Sequence, residues 1–296
     1  MRIVSLLPSA TEILFDLGLG DDVVGVTFEC DFPPEAKSKR IVSTSALPEG
    51  LTPAEIDAVV KERMAAGEDL YRLDRGAFAE IDPELVVTQD LCAVCAVDVS
   101  KVDDAIAYLG CSAEVLTLDP MSLDEVIASI TAVGEVTGRA ERGAEIVASL
   151  RVRLAAVAQR LEGARRRSTL VLEWTDPAFT AGHWVPDMVV AAGGTSVLGW
   201  SGENSQGVTW DDIRAADAEV VIVSPCGYRL DGAAELGRQV IERGHLPADA
   251  EVWAIDADAV VVRPGPRVVD GVEIIAQILH PDRCGVPHAS HARRLR

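Results

Sequence analysis

From Ser122 to about Glu162 the chain has a helical composition broken only by Gly134, Gly138 and Gly143, and this stretch divides the sequence into two similar halves. In its later part Ile146, Val147, Leu150, Leu154, Val157 and Leu161 fall on one helical face. We read residues 121–165 as one long helix, kinked or broken near Thr137-Gly138. Arg165-Arg166-Arg167 follows, cations suited to a helix C-terminus.

On each side, short apolar runs alternate with helical patterns, the signature of parallel βαβ units. In the first half the runs are Arg2–Leu7, Val23–Val26, Ile41-Val42, Leu85–Thr88 and Glu114–Leu118. In the second they are Thr169–Leu172, Glu219–Val223 and Val252–Ile255. Helix starts are marked by capping patterns: Ser9 with Glu12, Thr52-Pro53-Ala54-Glu55, Ser122 with Glu125, and Thr209 before Trp210. A further helix is expected over Val102–Leu109, and a last one over Arg267–Leu279. The halves echo each other: Ile81-Asp82-Pro83-Glu84 leads into one strand, and Ala216-Asp217-Ala218-Glu219 into another. The pattern predicts an α/β fold of two lobes with parallel sheets joined by a single long helix. The lobes are expected at 1–120 and 166–282, the bridging helix at 121–165 and a mobile tail at 283–296. Ligands of open parallel sheets sit beyond the carboxyl ends of the strands, which predicts a site in an interlobe cleft.

Charge and motifs narrow the function. The formal charge is −20, from 47 acidic and 27 basic residues, a field that repels nucleic acid and anionic lipid. No apolar run approaches the roughly 20 residues needed to span a bilayer, so a membrane-embedded chain is not expected. Near the start, Pro8 follows Ile3–Leu7 at once, and Glu12 and Asp16 interrupt the apolar stretch beyond it, so the run reads as a strand and not as a signal peptide, and a cytoplasmic protein is expected. The spacing of the six cysteines does not resemble a secreted disulfide framework. Phosphate-loop, dinucleotide-loop, nucleophile-elbow and zinc-protease motifs are missing, so no catalytic residue or catalytic cofactor is assigned.

Candidate binding residues remain. Cys92-Ala93-Val94-Cys95 reads as a redox pair, a soft ligand to cobalt or iron, or two thiols in a loop. A structural zinc would need a second ligand pair that the sequence lacks. The aromatic residues gather in connections: Phe28, Trp174, Trp184, Trp200 and Tyr228. Rings at strand ends make flat walls for a large planar ligand, or anchor loops to the core. His183, in Ala181-Gly182-His183-Trp184, reads as an axial metal ligand, a hydrogen-bond donor or an ordinary loop residue.

Several of these pieces resemble a known family. Ile3–Leu17 (IVSLLPSATEILFDL) and Gly25–Pro34 (GVTFECDFPP) look like the opening of the cobalamin-binding solute receptors of ABC importers. Those receptors belong to the helical-backbone metal-receptor class, which also takes haem, iron siderophores and metal ions. Ile81–Val87, Phe179–Gly182, Ala191–Gly194 and Gln206–Trp210 match as well, and the resemblance spans roughly residues 2–280. It implies Rossmann-like lobes and a bridging helix, with cobalamin or a related corrinoid as bound ligand and an importer permease as partner. Carried over by position, it implies ligand contacts from Pro8, Ser9, Phe28, Glu29, Cys30, Asp31 and Ser45. From the other half it implies Trp174, His183, Trp184, Gly207, Cys226, Tyr228 and Arg263. Gln89–Cys95 departs from the family's loop, so Gln89, Cys92 and Cys95 join the candidates, with His183, Cys92 or Cys95 as metal ligands.

Three readings stay open on the sequence. The first is a non-enzymatic corrinoid receptor or intracellular carrier. The second is a receptor for haem, an iron siderophore or a metal ion. The third is a thiol redox or metal-dependent enzyme built on Cys92 and Cys95.

Overall fold

The first sheet is ordered by which strands can be buried on both faces. The computed structural model describes residues 1–68, 70–89 and 112–296. Among them β1 (Ile3–Ser5), β2 (Val23–Thr27), β3 (Arg40–Ser45), β4 (Tyr71–Leu73), β5 (Leu85–Thr88) and β6 (Glu114–Thr117) form one sheet in the order β4-β3-β2-β1-β5-β6. All pairings are parallel except β3 with β4. The central strands β1 and β5 are buried throughout, as a parallel sheet covered on both faces requires. Val4, Val42 and Val86 pack with Phe78 of α3 (Arg75–Ile81).

The helices of this half start where local chemistry demands. Thr52 caps α2 (Pro53–Ala66): its hydroxyl accepts from Glu55 N at 3.4 Å, and the Glu55 carboxylate accepts from Thr52 N at 2.8 Å. The box expected at Ser9 and Glu12 does not form. Pro8 takes the first position of α1 (Pro8–Asp16), Leu7 becomes the N-cap, and no side chain caps the helix.

The second sheet contains β7 (Arg167–Thr175), β8 (Ala178–Thr180), β9 (Gly194–Ser196), β10 (Gln206–Gly207), β11 (Val220–Val223), β12 (Glu251–Ile255) and β13 (Ala292–Arg294). Its order is β10-β8-β7-β11-β12-β13, with β9 also paired to β7. The parallel set β9-β7-β11-β12 corresponds to β2-β1-β5-β6 of the first sheet. The sequence echo has a structural counterpart. Glu84 N donates to Arg2 O and Glu84 O accepts from Glu114 N; Glu219 N donates to Ser168 O and Glu219 O accepts from Glu251 N, all at 2.9 Å. The valines of β11 and Ile213 of α7 (Trp210–Ala215) are buried, each worth about 1.5–3 kcal/mol of transfer free energy. The other helices here are α6 (Val185–Ala191), α8 (Leu230–Glu242), α9 (Ala257–Val260), α10 (Val268–Leu279) and α11 (Pro281–Cys284).

Three expectations are corrected. The stretch 121–165 breaks where a break was expected, near Thr137-Gly138, but into two separate helices, α4 (Leu123–Val136) and α5 (Ala140–Arg160), in place of one bridging helix. Gly138 stops the first in the left-handed region, at φ +69°. The chain then doubles back: a Cβ on Gly143 would lie 3.3 Å from Ile130 O and 3.8 Å from Gly134 Cα, so glycine lets the backbones approach. Asp124 and Arg151 pair at 3.7 Å further along this antiparallel hairpin. The chain divides into two compact units, Met1–Pro120 with Ala128–Val147 and Met121–Ile127 with Ala148–Arg296.

The arginine triplet does not serve a helix end, because α5 stops at Arg160. Arg165 pairs with Glu219, Arg166 donates to the carbonyl groups of Val190 and Gly194, and Arg167 pairs with Glu251 at 2.7 Å. These contacts pin the start of β7 to its surroundings.

Nor is the segment 283–296 a mobile tail. Trp253, Ala254 and Ile255 of β12 pair with Arg294, Arg293 and Ala292, and Leu295 packs on the core. The apolar side chains of Ala292 and Leu295 have a site to fill, which composition alone conceals. Among the described residues, no helix is long and apolar enough to cross a membrane.

Candidate functional site

Parallel strands deliver their following loops to one edge, and most of the candidate residues stand on those edges. In the first unit Pro8 and Ser9 follow β1, Phe28–Asp31 follow β2, Ser45 ends β3 and Gln89 follows β5. The β3–β4 pairing sets Tyr71 opposite Ser45. The Phe28 ring, largely exposed, lies 6.5 Å from that of Tyr71, and the Tyr71 hydroxyl donates to Glu29 Oε2 at 3.5 Å. Phe32 on the same loop is also exposed. Ser45 Oγ accepts from Leu47 N at 3.0 Å.

Two candidates here turn inward. Ser9 and Cys30 are each 2% exposed. Cys30 Sγ lies 3.0 Å from Thr11 Oγ1, and the Thr11 hydroxyl donates to Ser5 Oγ at 2.9 Å, which leaves the thiol as donor. Both side chains are buried within the first unit, and the Cys30 contact with Thr11 joins α1 to the β2 loop.

In the second unit, Trp174 lies on β7 itself, and its indole N–H donates to Asp176 O at 3.1 Å. Its ring meets Tyr228 edge to face, with centroids 5.8 Å apart at 64°. Tyr228 belongs to the turn after β11: its N–H donates to Pro225 O at 3.1 Å, and its carbonyl accepts from Asp258 N at 3.3 Å. Burial pushes the Tyr228 phenol pKa up, so the ring stays neutral. Cys226 in the same turn is exposed. Arg263, 9% exposed, donates through Nε and a terminal nitrogen to Asp258 at 3.2 and 2.7 Å. Gly207 is exposed on β10, paired with Phe179.

Trp184 does not form a wall. It is 7% exposed and its indole N–H donates to Val261 O at 2.8 Å, so it anchors the start of α6 to the core. His183 beside it is half-buried with φ +52°, and burial lowers its pKa. Its Nε2 is enclosed and has no hydrogen-bond partner among the described residues.

Cys92 and Cys95 lie outside the described residues. Among the described residues no group of three or more His, Cys, Asp and Glu side chains is placed to hold a metal ion. Tyr71 and Asp258 were missed from sequence. Tyr71 sits on a three-residue edge strand with no periodic signal, and Asp258 matters only because Arg263 folds onto it.

Several known proteins are similar to this chain. An uncharacterised ABC-transporter substrate-binding lipoprotein of Bacillus subtilis is 26% identical over 302 residues, covering 95% of this chain and 80% of the relative. A cobalamin-binding protein of Halobacterium salinarum is 25% identical over 288 residues, covering 94% and 69%. Among solved structures, the periplasmic vitamin B12 binding protein of Vibrio cholerae superposes with TM-score 0.69 at 21% identity, covering 94% and 96%. A periplasmic haem binding protein of Pseudomonas aeruginosa gives TM-score 0.71 at 17% identity, covering 99% and 97%. The two-lobed fold of parallel sheets is thus shared with both. The expectation of a cytoplasmic protein is overturned, since the Vibrio and Pseudomonas proteins are periplasmic and the Bacillus relative is a lipoprotein. That expectation rested on reading Ile3–Leu7, with Pro8, Glu12 and Asp16 after it, as a strand; a strand there does not bear on where the protein resides. A model of the family described as periplasmic binding protein matches residues 3–246, and the chain belongs to that family of solute-binding receptors.

Proposed function

We propose that the chain is a non-enzymatic receptor for cobalamin or a related corrinoid and hands it to the permease of an ABC importer. The candidate contacts are Phe28 and Glu29 of the first unit, and Trp174, Gly207 and Tyr228 of the second. The observation that carries this is the pair of aromatic sets at those edges, Phe28 with Tyr71 and Trp174 with Tyr228. Such rings offer flat apolar surface with a polar rim, the chemistry a metal macrocycle needs.

Electrostatics favours a corrinoid over haem. A corrinoid is rimmed by neutral amides, whereas haem carries two carboxylates that call for cations. The formal charge of −20 repels such an anion, and the Arg263 guanidinium is already engaged by Asp258. A bare metal ion is disfavoured by the lack of a ligand cluster among the described residues. Haem remains the second reading because the haem binding protein of Pseudomonas aeruginosa has the same fold.

The test is competition between cyanocobalamin and haemin for purified protein, followed by their absorption spectra. The proposal expects cyanocobalamin to displace haemin, and displacement only in the opposite sense would replace it by the haem reading.

A further inference from the structure

The turn Ala181–Trp184 and the segment 199–206 are locked together backbone to backbone. A Cβ on Gly182 would stand 2.4 Å from Ser205 N and 2.6 Å from Asn204 C and Glu203 O, so only glycine fits. A Cβ on Gly199 would lie 2.8 Å from Ala181 O. His183 N donates to Glu203 O at 2.6 Å, and His183 O accepts from Gly202 N at 3.2 Å. For this double contact His183 takes φ +52°, a region that favours glycine and is strained for histidine.

The far end of the segment is fastened by side chains. Ser205 Oγ donates to the carboxylate of Glu173, the residue before Trp174, and Gln206 Nε2 donates to Glu203 Oε2 at 2.9 Å. Gln206 and Gly207 then pair with Thr180 and Phe179, and Phe179 pairs with Trp174. The ladder fixes exposed Gly207 beside Phe179, and segment 199–206 leads from the His183 turn into that ladder. His183 is strained, and its Nε2 has no partner among the described residues.

We infer that residues 199–206 form a strap that determines ligand selectivity, and that His183 and Ser205 are positioning residues which hold it and do not touch the metal. The inference rests on the receptor reading for its ligand, but the state of the strap can be measured without one. His183 fixes the near end through its backbone and enclosed ring. Ser205 fixes the far end through Glu173. Between them Gln206 and Gly207 are held beside the aromatic wall, where a shift alters which rim groups of a chelate are accommodated.

The experiment compares the full chain with its Ser205→Ala and His183→Gln variants by hydrogen–deuterium exchange and by titration with cyanocobalamin and haemin. Exchange in 199–207 is expected to rise about tenfold in Ser205→Ala, which loses a part-buried hydrogen bond to a carboxylate, and to rise in His183→Gln, which loses the ring's hydrogen bond to Asn204, with cyanocobalamin affinity falling by a similar factor. The absorption spectrum of bound cyanocobalamin is expected to stay the same in His183→Gln. Unchanged exchange in the strap of Ser205→Ala overturns the inference, as does a changed spectrum of the bound corrinoid in His183→Gln. Should His183→Gln fail to fold, Ser205→Ala alone decides by its exchange and affinity. If the wild-type chain binds neither chelate, the receptor reading fails on its own, and so does the selectivity assigned to the strap.

Discussion

Trp174 and Tyr228 meet edge to face, 5.8 Å apart, although one stands on β7 and the other in the turn after β11. The parallel pairing Val220↔Thr169 to Val223↔Leu172 brings them to the same edge. If this pair is a ligand wall, Trp174→Ala removes its largest surface. Cyanocobalamin affinity should fall roughly thirtyfold or more, about 2 kcal/mol, while Tyr228→Phe keeps most of it. Calorimetric titration of both variants checks this, and equal affinities for Trp174→Ala and wild type would refute the wall.

The described thiols differ in access. Cys226 is exposed, Cys284 is half-buried with its pKa pushed up by burial, and Cys30 is enclosed beside Thr11. Limited iodoacetamide treatment followed by peptide mass spectrometry should find Cys226 labelled first and Cys284 slowly. Cys30 should react only on unfolding, and labelling of Cys30 as fast as Cys226 would contradict its placement.

Burial lowers the His183 pKa below its ordinary value of 6.5. His245 shifts the same way, through burial and the nearby Arg214 and Arg243. The unfolded chain takes up protons near pH 6.5, whereas the folded chain resists them. Stability is therefore full above the unfolded pKa and is lost as pH falls through it toward the folded value. Thermal melts between pH 7.5 and 5 should show a smaller acid loss in His183→Gln than in wild type. Parallel curves would show that His183 does not contribute.

Removing the chain after His291 deletes β13 and Leu295, including the Leu295 N–H bond to Val252 O at 2.7 Å. The edge of β12 is then bare. The melting temperature should drop by about 5 °C or more, whereas a tail without contacts would leave it unchanged.

Local chemistry was readable from sequence and distant chemistry was not. Thr52 and Glu55 form their capping box because every partner lies within one turn. Ser9 and Glu12 fit the same template, yet Pro8 starts the helix earlier and Ser9 is buried instead. The helical stretch after Ser122 was recognised, but its reversal depends on Gly138 in the left-handed region and on the Gly134–Gly143 approach. Glycine composition alone does not separate a kink from a hairpin. Strands β4, β8, β10 and β13 have two or three residues each, too short for a periodic signal. Their pairing moves Tyr71 next to Phe28 and Gly207 next to Phe179. For Trp184, its place in a connection suggested a wall, and only the Val261 carbonyl explains why it anchors the core.

Calorimetric titration of the wild-type protein with cyanocobalamin tests the central claim most directly. The account predicts saturable binding at one corrinoid per chain, with affinity nearly independent of salt because the ligand rim is neutral. Absence of heat and of spectral change with cyanocobalamin and with other corrinoids, alongside saturable binding of haemin, would contradict it.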